Sequence, residues 1–123
     1  MIKIYDSGYR GECPKESAEQ ITLINFIRAQ YPQVIHPRNE GNRSHRQTSR
    51  HKAEGLTTGA SDIIIPASIT FVCELKRKDK TKSKLSKDQK TYLDACDQAG
   101  AFACVAYGHD QALKAFADWK AML

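Results

Sequence analysis

Asp62 opens one short apolar run and Glu74 and Lys76 close the next, within GASDIIIPASITFVCELKRK (59–78). Sheet interiors usually exclude charge, so these positions ask for a chemical reason. Side chains alternate across a strand. In ITFVCELK, Thr70, Val72, Glu74 and Lys76 therefore share one face, and Ile69, Phe71, Cys73 and Leu75 the other. Ala67 and Ser68 make the turn, and a hairpin of roughly two or three residues sets Asp62 opposite Cys73 or Glu74. Facing residues on neighbouring strands have Cβ atoms about 4.5–5.5 Å apart. In the register that puts Asp62 on the Glu74 face, two carboxylates and an ammonium converge. Paired carboxylates are tolerated when one holds a proton or a cation lies between them. A hard divalent ion such as Mg²⁺ suits such oxygen ligands and keeps several waters. It can polarise a phosphoryl oxygen and lower the pKa of a bound water. Lys76 is then placed to orient that water or to steady developing negative charge, and the chemistry is phosphodiester hydrolysis. The plainer alternative is a strand-edge ion pair between Glu74 and Lys76, with Asp62 as a turn residue. An E-x-K triplet alone means little. The combination of G-x-S-D, apolar strand, tight turn and a second strand ending in E-L-K favours the catalytic reading.

The elements that must position these groups are legible from periodicity. Residues 1–15 are a lead-in with a short strand at Ile2–Tyr5. From Glu16 to Tyr31 the pattern is helical, with Gln20, Leu23, Ile24, Ile27 and Tyr31 on one stripe, and Pro32 ends it. QVIHPRN (33–39) reads as a short extended segment, and 40–60 as a polar, basic, glycine-punctuated connection of the length that usually carries function. The strands 61–66 and 69–76 follow, then a lysine-rich loop at 77–85. Ser86 is an N-cap, 87–99 a helix stopped by Gly100, and AFACVAY (101–107) a buried strand. The last helix, 109–123, turns Leu113, Phe116 and Trp119 inward. The order α-β-β-β-α-β-α predicts one α/β domain over 1–123, without internal repeats.

The totals agree with a polyanion partner. In 123 residues, 19 Lys and Arg stand against 14 Asp and Glu, a net charge of +5. Cys13, Cys73, Cys96 and Cys104 follow no apolar leader, and Cys73 and Cys104 sit in apolar runs; all four are expected reduced, in a cytoplasmic protein. No run is long enough to span a bilayer. Neither C-x-x-C nor H-x₃-H spacing occurs, which argues against structural zinc. Cys73 is expected to face away from Glu74, into the core.

Asp62 and Glu74-Leu75-Lys76 resemble the PD-(D/E)XK nuclease signature, with Ser61 in place of the proline before the aspartate. More narrowly, the chain resembles a virus-type replication-repair nuclease (VRR-NUC) domain. The resemblance is carried by E-S-A-E-Q in the first helix, H-P-R-N-E-G (36–41), G-L-T-T-G-A-S-D (55–62), E-L-K and L-S-K-D-Q (85–89), and covers about residues 16–110. It implies an αβββαβ restriction-endonuclease-like core, a central mixed sheet flanked by helices, and a Mg²⁺- or Mn²⁺-dependent DNA endonuclease leaving 5′-phosphate and 3′-hydroxyl ends. It implies that Asp62, Glu74 and the carbonyl of Leu75 hold the metal and that Lys76 positions the attacking water. A glutamate of the first helix would complete the shell, and Gln89 would lie near the active site. Small stand-alone members resemble phage proteins acting on branched DNA such as Holliday junctions. That implies the host cell cytoplasm and, for symmetric cutting by one small domain, a homodimer.

Between the two candidate glutamates, the helical wheel puts Glu16 with the buried stripe and Glu19 towards its edge, which favours Glu16. The basic residues Arg38, Arg43, Arg46, Arg50 and Lys52, with Asn39, and a second stretch that includes Lys78 and Lys80, border the proposed metal site on either side. They are read as contacts to DNA phosphates. Glu40 is open between the site and a loop ion pair. Aromatic residues are not interleaved with the basic ones, which favours duplex or junction over a single-strand stacking platform. The competing reading is a non-catalytic nucleic-acid-binding protein that keeps the fold.

Overall fold

The structure, a computed structural model, describes residues 1–37, 53–55 and 57–123. Strand β1 (Lys3–Tyr5) leads to helix α1 (Glu16–Gln30). The hairpin β2 (Ile63–Ile65) and β3 (Phe71–Lys76) comes next, then a 3₁₀ turn (Lys80–Lys82) and helix α2 (Lys87–Gln98). Strand β4 (Phe102–Tyr107) and helix α3 (His109–Ala121) complete the order. The sheet runs β1-β4-β3-β2, with β1 and β3 parallel to β4 and β2 antiparallel to β3. The extended segment expected at 33–39 contributes a single bridge, Ile35 to Ile64, among the described residues. No helix among those residues is long and apolar enough to cross a membrane.

Layering follows from the pleat. Phe71, Cys73 and Leu75 of β3 and Phe102, Cys104 and Ala106 of β4 point to one face, where Leu23 and Ile27 of α1 and Phe116 and Trp119 of α3 cover them. Trp119 is fully buried and its indole N–H donates to the carbonyl of Ile69 at 2.6 Å, so the largest core side chain is also polar-satisfied. On the opposite face Val72, Ala103 and Val105 pack against Leu93 of α2. Glu74 and Lys76 follow Val72 at two-residue steps and so lie on the α2 face. Cys73 lies on the other face, in the core, and forms no disulfide.

Candidate active site

The pairs Ile65–Phe71, Ile64–Val72 and Ile63–Cys73 fix the hairpin register, and one step further Asp62 faces Glu74. The Asp62 carboxylate is anchored there by the backbone N–H of Leu75, which donates to Oδ2 at 2.9 Å. Glu74 is 2 % exposed. Its Oε2 accepts from the side-chain amide of Gln89 at 3.3 Å, while its Oε1 meets no donor among the described residues. Asp62 lies in hydrogen-bonding reach but is an acceptor as well, so the two carboxyls can pair only through a shared proton or cation. Burial, then the Asp62 carboxylate and more weakly Glu16, push the Glu74 carboxyl far above the usual carboxylate range, against the opposing pull of Lys76.

Lys76, 5 % exposed, is held rather than mobile. Its ammonium donates to the carbonyl of Lys84 and to Oε1 of Gln89, both at 3.0 Å, and stands 3.7 Å from Oε1 of Glu16. Helix capping sets the Gln89 side chain. Ser86 caps α2 by accepting from the Gln89 N–H at 3.1 Å, and the Ser86 N–H donates to Oε1 of Gln89 at 2.9 Å. This reciprocal box turns the amide back over the helix start, with its oxygen towards Lys76 and its nitrogen towards Glu74. Gln89 was implied at the site only by the resemblance; the capping pattern S-x-x-Q was the physical signal.

These groups line a cleft of about 640 Å³ together with Glu16 and Gln20 of α1, His36, and the 58–60 loop. Gln20 was read as part of the apolar stripe; here it lines the cleft and approaches Nδ1 of His36 at 3.2 Å. The same ring nitrogen lies 2.7 Å from the carbonyl of Asp62, which can only accept; Nδ1 therefore donates there and fastens His36 to the start of β2, with the Gln20 amide packed beside it. His36 was not singled out beforehand, although it begins the H-P-R-N-E-G stretch. Gly59 has φ +80°, and a Cβ there would stand 2.4 Å from the carbonyl carbon and oxygen of Asp88 and 2.8 Å from the nitrogen of Gln89. The loop entering β2 thus presses directly on the turn of α2 that carries Gln89.

The two glutamates of α1 separate in a way the wheel did not indicate. Glu19, not Glu16, is the buried one at 3 %, and it turns from the cleft towards α3. It accepts from the backbone N–H of His109 and lies 2.7 Å from that residue's Nδ1. The stripe centre was drawn from apolar residues alone and could not register a carboxylate recruited to cap a neighbouring helix. Glu16 stays half-exposed and lines the cleft, its carboxyl raised by burial with Lys76 pulling it down and Asp62 pushing it up. Lys78 is paired with Asp110 at 3.0 Å and Lys80 with Asp6 at 3.6 Å. Arg38, Asn39, Glu40, Arg43, Arg46, Arg50 and Lys52 lie outside the described residues.

Among the described residues no cluster of three or more His, Cys, Asp and Glu side chains forms a ready-made cage. The donor set nonetheless fits a hard divalent ion, which binds through one or two carboxylates and keeps its remaining places for water and phosphate. A buried carboxylate oxygen with no partner among the described residues, on a carboxyl opposite a second one, is the position such an ion would satisfy.

No family model and no curated protein matches the chain. Among solved structures it is similar to a protein described as "VRR_NUC domain protein", with a TM-score of 0.71 at 19 % identity over 89 % of each chain. At that identity the likeness is one of fold, and the expected restriction-endonuclease-like α/β core is the fold observed.

Proposed function

We propose that this chain is a metal-dependent nuclease that hydrolyses phosphodiester bonds in DNA, branched forms such as four-way junctions included. The reading is carried by one observation: buried Glu74, one of whose oxygens has no donor among the described residues, stands opposite Asp62 in a cleft where Lys76 is locked in place by Gln89. Asp62 and Glu74, with the carbonyl of Leu75, would hold Mg²⁺ or Mn²⁺. When bound, the ion would supply Lewis-acid polarisation of the phosphate and a more acidic water. Lys76 offers a fixed positive charge where negative charge grows on the phosphate oxygens. Glu16, at 3.7 Å from that ammonium, helps to hold it in the cleft. Gln89 keeps Lys76 and Glu74 in one orientation so that no reorganisation is needed during turnover. Symmetric cutting of a junction would need two such centres and hence a homodimer.

The test is incubation with duplex, flap, nicked and four-way DNA in Mg²⁺, Mn²⁺ or EDTA. Metal-dependent product with 5′-phosphate ends supports the reading. Binding without product in either metal selects a non-catalytic nucleic-acid-binding protein of the same fold.

A further inference from the structure

The lysine-rich stretch KRKDKTKSKLSKDQK (76–90) reads as one basic run, yet its cations have different partners. Lys76 is buried in the cleft. The Arg77 guanidinium donates to the carbonyls of Cys13 at 2.8 Å and Pro14 at 3.2 Å, fastening the lead-in to the end of β3. Lys78 pairs with Asp110 and stands 5.6 Å over the ring of Tyr9. Lys80 pairs with Asp6, and Lys90 with Asp94 one helical turn on. Lys82, Lys84 and Lys87 are exposed and have no carboxylate partner among the described residues.

The backbone that carries Lys84 and Lys87 borders the cleft, and Lys82 lies two residues before Lys84. The carbonyl of Lys84 receives the Lys76 ammonium, so Lys84 sits one hydrogen bond from the proposed centre. Lys87 stands between Ser86 and Asp88, both of which line the cleft. Lys82 closes the 3₁₀ turn that leads there. Bonds that leave the ammonium groups out order the segment. Asp79 accepts from the N–H and hydroxyl of Thr81 at 3.0 and 2.6 Å and from the N–H of Gly11 at 2.9 Å, and the Arg77 N–H donates to Ser83 at 3.1 Å. The side chains thus project from an ordered backbone with their charge unspent. Within 82–88 Asp88 is the one acid against three lysines, so the stretch is net positive.

We propose that Lys82, Lys84 and Lys87 form the phosphate-contacting rim of the cleft for double-stranded DNA, and that Lys78 and Lys80 serve the fold instead. The inference rests on the nuclease reading for where DNA lies. A solvated, unpaired ammonium that meets a phosphate releases a condensed counterion, whereas a paired lysine must first give up its carboxylate.

The salt dependence of binding separates the two groups. Affinity of the full chain for a labelled duplex is measured across a KCl series in EDTA, so that cleavage does not intervene. The triple variant Lys82→Gln/Lys84→Gln/Lys87→Gln is expected to flatten the log–log slope by about 2.7, from about 0.9 per lost phosphate contact. The double variant Lys78→Gln/Lys80→Gln is expected to keep the wild-type slope while melting at lower temperature, and Lys80→Gln alone serves if the double variant does not fold. A triple variant with the wild-type slope, or a Lys80→Gln or double variant flattened as much as the triple, overturns the assignment while leaving the nuclease reading intact. A wild-type chain that binds no DNA overturns both.

Discussion

Gln89 bridges Lys76 and Glu74: its Oε1 accepts from the ammonium at 3.0 Å while its Nε2 donates to the carboxyl at 3.3 Å. The residue that caps α2 therefore also sets the geometry of the cleft. Replacing Gln89 by alanine removes both contacts, and loss of such an orienting partner is expected to lower kcat by about 10- to 100-fold. Ser86→Ala, which removes only the cap, is expected to cost about 1 kcal/mol in stability and to lower kcat by less. Steady-state cleavage and urea unfolding of both variants check this; a Gln89→Ala variant of wild-type kcat contradicts it.

Gly59 and Gly55 both adopt positive φ, but among the described residues backbone presses against Gly59 and not against Gly55. Gly59→Ala therefore adds a clash with Asp88 and Gln89 to the strain that Gly55→Ala also meets. The expected cost is about 1–3 kcal/mol beyond that of Gly55→Ala, with reduced turnover because α2 must shift. Equal unfolding free energies for the two variants would show that the contact yields without consequence.

Glu16 and Glu19 should respond oppositely. Glu19→Ala leaves the backbone N–H and ring of His109 without their buried acceptor, an expected loss of about 1–3 kcal/mol in stability. Glu16→Gln, in the cleft and half-exposed, should leave the unfolding midpoint nearly unmoved while reducing cleavage. Parallel denaturation and rate measurements decide; a fully active Glu16→Gln with an inactive but stable Glu19→Gln would reverse the assignment.

Ser61 is fully buried and its hydroxyl has no partner among the described residues. A buried polar group without a hydrogen bond is a net cost, so Ser61→Ala should stabilise by about 1 kcal/mol. A destabilised variant in urea unfolding argues against this.

Proton linkage gives a further check. The folded-state pKa of Glu74 is raised above the ordinary 4.5 by burial and by Asp62. The folded chain then binds this proton more tightly than the unfolded one. Its contribution is complete below the ordinary value and declines as pH rises above it towards the folded value. Metal-free stability should thus fall with rising pH through neutrality, and binding of Mg²⁺ or Mn²⁺, which must displace the proton, should tighten. Glu74→Gln should flatten both trends; an unchanged pH dependence in that variant assigns the linkage to another group.

Much of this was legible in the residues. The two-residue alternation in ITFVCELK placed Glu74 and Lys76 on one face and Cys73 on the other, as the structure has them. The register, left open between two pairings, was settled by a connection running from Pro66 to Thr70. What stayed hidden depends on tertiary partners. Glu19 is buried because α3 starts against it, and Lys78 is engaged because Asp110 lies beside it. Neither relation has a signature within its own element. His36 reaches the carbonyl of Asp62 across 26 positions of chain, a contact that no local pattern encodes.

The most direct test of the Asp62–Glu74 centre compares cleavage by the wild-type chain and Glu74→Gln under conditions where both bind the same DNA equally. Metal-dependent cutting by the wild type, and its loss in Glu74→Gln without loss of binding, is the predicted result. Cutting undiminished by the substitution would contradict the centre described here.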